Sequence, residues 1–246
     1  MKLVVRVNYG DESIALIQWL HEHQPEEFES IQVVYIDTGW GAEHWGERVQ
    51  VGDALSRSYG FKVVLLKSPI DFQALILERG QFPTPKFQWC AGFLKGIPLM
   101  KWLDEEDPAG EWTIALPKRQ ALYRYELSQT LESCEYHGER RVWHPMIAVS
   151  HEERDALIRR AGFEPLYHRS LECDPCVNST LLEIKHLSKN DANKTSALEE
   201  KIKQPFFPAL NAPLKEINFN AMNDITQPQR RDHFTMGCGD PFGCGL

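Results

Sequence analysis

The sequence has no apolar run approaching the roughly 20 residues that a membrane-spanning helix requires, which argues against a membrane partner. Positive charge is in deficit: 27 Lys and Arg against 35 Asp and Glu leave a formal net charge of −8. A sequence-independent grip on nucleic acid needs clustered cations. The acidic surplus argues against such a partner but leaves room for a local basic pocket that holds a small anion. No low-complexity tract and no internal repeat is visible, and hydrophobic residues make up 42%, as in an ordinary globular protein. There is no export signal either. The opening Met1–Val7 is too short and too charged for one and reads as a first strand, so the chain is expected in the cytoplasm. Six cysteines without an export signal do not suggest a disulfide framework; metal or redox chemistry fits them better.

What is present is length for a buried core: 246 residues suit one large domain, or one with a small appendage. Two hydrophobic periods alternate along the first half. Leu3–Val7, Ile31–Ile36, Lys62–Leu66 and Trp112–Leu116 read as strands. Glu12–His23, about His44–Tyr59 and Phe72–Arg79 read as helices, the second closed by Gly60. That alternation predicts an α/β fold, a parallel twisted sheet with helices on both faces joined by right-handed crossovers. In such sheets ligands bind beyond the carboxyl ends of the strands, where the loops Asn8–Ser13 and Asp37–Gly41 fall. Further on, Ser150-His151-Glu152-Glu153 is a capping box opening a helix that stops at Gly162, and a helix is expected near Val177–Leu187. A polar stretch from Ser188 to about Asn220 reads as a weakly packed arm of partial helix. Two units follow: residues 1–187 as the nucleotide-type α/β domain with a Cys-x-x-Cys site, and 188–246 as an arm and cysteine-bearing tail packing back on it. Four of the last ten residues are glycine, yet that tail carries Cys238 and Cys244.

Three groups of residues carry chemistry. The turn Asn8-Tyr9-Gly10-Asp11-Glu12-Ser13 feeds a helix N-terminus, whose backbone N–H groups and dipole suit phosphate or sulfate; many such turns bind nothing. Asp37-Thr38-Gly39 is likewise common as a plain turn, but it stands where ribose or base contacts would be made. The cysteines form the second group. Cys173-Asp174-Pro175-Cys176 has the spacing that directs two sulfurs to one metal or to two corners of a cluster. Cys90 follows Trp89 at the start of an apolar helix, where the helix dipole favours a thiolate. A fourth ligand would come from Cys238 or Cys244, with Cys134 a poorer candidate in its charged segment. A buried core thiol with a coincidental or redox pair, a structural zinc ion and an iron–sulfur cluster all remain open on spacing alone. The third group is basic: Lys86, Lys95, Lys118, Arg119, Arg124, Arg140 and Arg141. Each is individually accounted for as solvated surface charge, but together they suggest an anionic small ligand.

Together these segments resemble the phosphoadenylyl- and adenylyl-sulfate reductases, within the adenine nucleotide alpha hydrolase-like folds. Val7–Glu12 is similar to the family's first-strand loop and lacks the lysine of the ATP-cleaving relatives. Tyr35–Gly39 resembles its Asp-Thr-Gly strand end. Trp89–Leu99 resembles the Cys-Cys-x-x-x-Lys-x-x-Pro-Leu segment. Trp143-His144-Pro145 looks like the next block, Glu164–Tyr167 leads into Cys173-x-x-Cys176, and Cys244-Gly245-Leu246 resembles the tail bearing the redox-active cysteine. The likeness spans most of the chain except 188–220. Two departures stand out: Ala91 replaces the second cysteine of the pair, and Pro117 stands where an arginine is expected.

The resemblance implies a 4Fe–4S cluster on cysteine elements spaced much like the 82 residues between Cys90 and Cys173, with zinc as the alternative metal. It implies Cys90, Cys173, Cys176 and Cys238 as ligands, leaving Cys244 as the nucleophile; the roles of Cys238 and Cys244 are interchangeable at this level. An adenine sulfonucleotide or related nucleotide would contact Asn8, Tyr9, Gly10, Glu12 and Ser13, pass Asp37, Thr38 and Gly39, and have its charge met by Lys95, Arg119 and Arg124. Cys244 would attack the sulfate sulfur, and a thioredoxin-like reductant would release sulfite. A homodimer is compatible with this reading. The rivals are a nucleotide-activating sulfurtransferase or thiolation enzyme, and a non-catalytic nucleotide-binding module stabilised by its metal.

Overall fold

A computed structural model describes residues 1–123, 125–166, 168–207, 210 and 212–217. Six strands form one sheet: β1 (Lys2–Val7), β2 (Ser30–Asp37), β3 (Lys62–Lys67), β4 (Thr113–Ala115), β5 (Thr130–Cys134) and β6 (Arg140–Trp143). Their spatial order is β3-β2-β1-β4-β6-β5. All neighbours are parallel except β5, which runs antiparallel to β6 at the edge. The expected α/β architecture is the observed one.

The helices are α1 (Asp11–His23), α2 (Trp45–Ser58), α3 (Phe72–Arg79), α4 (Trp89–Ala91), α5 (Ile97–Glu106), α6 (His151–Arg160), α7 (Leu181–Lys185) and α8 (Lys189–Ile202). Strand alternation sorts the core into two layers. Leu3, Val5 and Val7 of β1 face α1 and α6 through Ile14, Leu16, Ile17, Leu157 and Ile158. Val4 of β1, with Val34, Ile36 and Ile114, faces Leu99 and Leu103 of α5 on the opposite side. The predicted capping box is made: Ser150 Oγ accepts from the Glu153 N–H and Glu153 caps the Ser150 N–H in return.

Two differences from the sequence-based expectation have clear causes. The pair β5–β6 lies where the sequence reading assigned no element and noted only charge around Cys134, because its strands are short and β5 is largely exposed. The stretch after Ser188 is better packed than its polarity suggested. The Ser188 side chain caps α8, and Leu198, Phe206 and Phe207 are fully buried in a third apolar cluster. Its large apolar residues turn inward, and Asp191, Thr195 and Glu199 are buried with them.

Candidate functional site

Following β1, the chain moves outward to β2 and β3 and then returns to β4 on the other side of β1. This reversal opens a crevice beyond the carboxyl ends of β1 and β4, the position where α/β sheets of this kind bind ligands. The Asn8–Ser13 turn forms one wall. Asn8 Oδ1 accepts from the Gly10 N–H at 2.9 Å and from Ser13 Oγ at 2.8 Å, so the turn is braced from within. Tyr9 holds φ +58°, a left-handed value that side chains rarely adopt. Its ring is fully buried, stacks on Tyr35 at 5.7 Å, and its hydroxyl donates to Asp53. Burial and that carboxylate push the Tyr9 phenol well above its usual range. Helix α2 clamps the same turn: Arg48 Nε donates to the Tyr9 carbonyl at 2.7 Å and Trp45 Nε1 to the Asn8 carbonyl at 3.2 Å. The first turn of α1 takes no side-chain cap.

Arg119, in the loop after β4, is wholly buried and grips Glu12 in a two-point ion pair, both contacts at 2.7 Å. Arg154 of α6 adds a third contact to the same carboxylate at 3.0 Å. Glu12 and Arg119, both expected to face a nucleotide, are thus brought together and neutralise each other.

The second wall is the turn after β2. Gly39 has φ +67°, and a Cβ there would lie 2.6 Å from that of Asp71, so glycine is required on two counts. Asp37 Oδ1 accepts from the Gly39 N–H. Thr38 is fully buried and its hydroxyl donates to the Glu172 carbonyl at 3.0 Å. From here the turn is stitched to the Cys173–Cys176 loop. The Ala42 N–H donates to the Leu171 carbonyl at 2.9 Å, and Trp40 forms a parallel bridge with Cys173. The Asp174 N–H donates to the Trp40 carbonyl at 2.7 Å, and Trp40 Nε1 donates to the Pro175 carbonyl at 2.8 Å across a cis Asp174–Pro175 bond. The same loop reaches the first wall, where Asn8 Nδ2 donates to Ser170 Oγ at 2.8 Å. A Cβ on Gly10 would approach that of Ser170 to 2.9 Å, so the close passage needs glycine.

Cys90, Cys173 and Cys176 are all buried, and all belong to one apolar cluster with Trp40, Phe72, Trp89 and Phe206. Cys90 lies on α4, which runs through a single π-helical turn (Gly92–Gly96) into α5. Such turns rotate the following residues and recur at functional sites. This one buries Lys95, whose Nζ meets Glu172 Oε1 at 2.7 Å. Around the loop, Lys194 Nζ donates to the Asp174 carbonyl at 2.8 Å and lies 4.4 Å from the centre of the Trp40 ring. Arg169 donates to Ser179, whose N–H donates to the Cys176 carbonyl. Burial raises the Asp174 carboxyl to about 6.

Among the described residues no group of three or more His, Cys, Asp or Glu side chains converges as a single metal ion would require. One tetrahedral ion with metal–sulfur bonds of about 2.3 Å draws its thiolates tightly together. A four-iron cluster binds each thiolate at a different iron and lets them stand farther apart. The three described thiols are buried in one apolar cluster and are of the donor type that either arrangement uses. Cys238, Cys244 and Arg124, assigned from the sequence as ligand, nucleophile and substrate cation, lie outside the described residues. Cys134 sits on β5, away from this cluster, among residues that pack under α5. Sequence reasoning missed Trp40, Ser170, Glu172 and Lys194. Glu172 and Trp40 carried a signal in standing next to residues already singled out; Ser170 and Lys194 carried none.

The sheet order, the crevice and the two turns define an adenine nucleotide alpha hydrolase-like fold. No protein-family model and no curated protein matches the chain. Solved structures do. The U34-tRNA thiolase NcsA from Methanococcus maripaludis with its 4Fe–4S cluster is 15% identical, with a TM-score of 0.50 over 89% of this chain and 74% of that one. A phosphoadenylyl-sulfate reductase from Candida auris, in a phosphate complex, is 12% identical with a TM-score of 0.46 over 66% and 74% of the two chains. An NH3-dependent NAD synthetase from Campylobacter jejuni, in complex with nitrate ion, is 14% identical with a TM-score of 0.42 over 93% and 88%. At such identities the likeness is one of fold. No helix among the described residues is long and apolar enough to cross a membrane.

Proposed function

We propose that this chain is an enzyme that acts on sulfur bound to an adenine nucleotide, in its specific form a sulfonucleotide reductase. One observation carries the reading: the segment Ser170–Cys176 touches both the Asn8–Gly10 turn and the Thr38–Ala42 turn, so a cysteine loop is laid across the two loops that face a nucleotide in this fold. The nucleotide would lie with its anionic end over Gly10 and the uncapped start of α1, and its adenosine past Asp37–Gly39. Lys95 and Arg119 would form the inner walls, their charge shared with Glu172 and Glu12. Cys90, Cys173, Cys176 and Cys238 would hold a 4Fe–4S cluster, supplying a sulfur-bridged iron core beside the reacting end of the substrate. The Cys244 thiolate would attack the sulfate sulfur. A sulfur–sulfur bond forms, and the nucleotide phosphate leaves with the electron pair of the broken sulfur–oxygen bond. A thioredoxin-like dithiol then attacks Cys244 Sγ, sulfite departs, and the dithiol ends as a disulfide.

A second reading, nucleotide-activated thiolation, is favoured by the two buried ion pairs. With Lys95 and Arg119 each matched by a carboxylate, a nucleotide that brings its own Mg²⁺ needs less charge from the protein. The deciding experiment is anaerobic purification with iron and sulfide counts, followed by parallel assays for sulfite release from a sulfonucleotide and pyrophosphate release from ATP. Sulfite alone supports the reductase and pyrophosphate alone the thiolation enzyme. Neither, in an iron-loaded protein, leaves a nucleotide-binding module. A colourless protein holding zinc overturns the cluster.

A further inference from the structure

The two residues between Cys173 and Cys176 set how the two thiols stand to each other, and every backbone polar group they carry is held. The Asp174 N–H donates to the Trp40 carbonyl at 2.7 Å, and the Pro175 carbonyl accepts from Trp40 Nε1 at 2.8 Å. Proline has no N–H to place. The remaining group, the Asp174 carbonyl, accepts from Lys194 Nζ at 2.8 Å. A carbonyl in a residue only 7% exposed is costly to leave unmet, and a cationic donor makes the stronger kind of bond. Lys194 comes from α8, in the stretch that bears no likeness to the reductase segments, and its own position is fixed from two sides. Asp191 Oδ1, one turn earlier, lies 2.6 Å from its ammonium. Asp191 is held in turn by the helix cap: Ser188 Oγ donates to Asp191 Oδ2 at 2.6 Å and accepts from the Asp191 N–H at 3.0 Å. The Trp40 ring supplies the other side, its centre 4.4 Å from Lys194 Nζ. Further along α8, Leu198 is buried in the apolar cluster that contains Cys90, Cys173 and Cys176. The helix is thus tied to the cysteine loop by a cation and to the cysteine cluster by apolar packing.

We propose that Lys194 is a positioning residue for the cysteine site: carried in by α8, it fixes the Asp174 carbonyl and with it the direction of the Cys173 and Cys176 thiols. The inference rests on the proposed function in taking that site to hold a cluster; the clamp on the loop stands without it. Iron–sulfur ligation needs each thiolate directed at its own iron. With the carbonyl released, the Asp174–Pro175 peptide plane can turn, and the path of the chain into Cys176 turns with it. Lys95 reaches the loop from the α4 side, at Glu172, whereas Lys194 reaches it between the cysteines. The polar run Lys189–Lys194 thereby acquires a use, since Asp191 and Lys194 stand one turn apart and act as a pair on the loop.

The test compares the parent with Lys194→Met, Asp191→Asn and Lys201→Met in the full chain, purified without oxygen. Lys201 is exposed on the last turn of α8 and serves as the charge control. The readouts are hydrogen exchange of the backbone from Leu171 to Val177, the rate at which a chelator removes iron, and visible circular dichroism, which reports how the thiolates are set around the irons. Lys194→Met is expected to speed both exchange and iron release by about tenfold or more, as loss of a charge-assisted hydrogen bond implies, and to alter the dichroism. Asp191→Asn leaves the cation in place but unanchored, and is expected to shift the same readouts the same way by less. Lys201→Met is expected to match the parent. A Lys194→Met protein that only unfolds more easily in urea, with loop exchange, iron release and dichroism unchanged, overturns the proposal, as does an equal effect in Lys201→Met. Where Lys194→Met does not fold, an Asp191→Asn protein identical to the parent overturns it. A parent that binds no iron fails the cluster reading, and the loop exchange then decides the clamp: faster exchange in Lys194→Met upholds it, and parental exchange overturns it.

Discussion

Lys95 and Glu172 meet at 2.7 Å with both side chains almost fully buried, and each stands beside a cysteine element, five residues after Cys90 and one before Cys173. The pair therefore ties the α4 segment to the Cys-x-x-Cys loop. Removing one partner leaves the other as an uncompensated buried charge, which costs about 3–5 kcal/mol. Lys95→Met is expected to lower the unfolding free energy measured in urea by that amount and to reduce iron retention. Lys95→Met combined with Glu172→Leu is expected to recover most of the stability, because an apolar pair of similar volume tolerates burial. A double variant as unstable as the single one would mean that the pair does more than neutralise itself.

Gly52, in the middle of α2, gives a prediction whose sign runs against helix propensity. Alanine in a helix interior is normally better than glycine by about 1 kcal/mol. Here a Cβ would collide with the buried Tyr9 ring, itself held by Asp53 and by its left-handed backbone. Gly52→Ala is expected to destabilise by about 1–3 kcal/mol as an overpacked contact. It should also weaken adenine-nucleotide binding, since the displaced ring carries the Asn8–Gly10 turn. Equilibrium unfolding and nucleotide titration on the same variant check both.

These residues also mark where the sequence was legible. The strands β1 to β4 and the helices α1 to α3 and α6 follow from period and caps, because those signals are local to each segment. The two turns were found because they end strands, and three cysteines because their spacing is chemical. Tyr9 was legible as a turn residue but not as a buried ring, since its partner Asp53 lies on another helix. Glu12 and Arg119 were each read as facing a ligand; that they face each other is a contact across 107 positions, which no local pattern carries. The stretch after Ser188 misled through composition: its average is polar, while Leu198, Phe206 and Phe207 decide its packing.

Cys134 separates a chemical cysteine from a bystander. It sits partly buried on β5, packed near the α5 layer, whereas Cys90 belongs to the same buried apolar cluster as Cys173 and Cys176. Cys134→Ser is expected to leave iron and sulfide counts unchanged, with a stability change within about 1 kcal/mol. Cys90→Ser is expected to lose most of the iron. Equal loss in both variants would place Cys134 in the ligand set.

His137 gives the pH prediction. Burial first, and then the neighbouring basic groups Arg6, Lys118, Arg140 and His144, hold its imidazole down at about 3, against an ordinary value of 6.5. Between those two values the unfolded chain takes up a proton that the folded ring refuses, so acid favours unfolding. The stability is fully present above pH 6.5, is lost progressively as the pH falls towards about 3, and does not change further below it on this account. The loss is of the order of a few kcal/mol. His137→Gln removes the titrating ring, so the difference in stability between parent and variant should itself vary with pH across this window. A parent and a variant with parallel pH profiles would show that His137 does not titrate on unfolding.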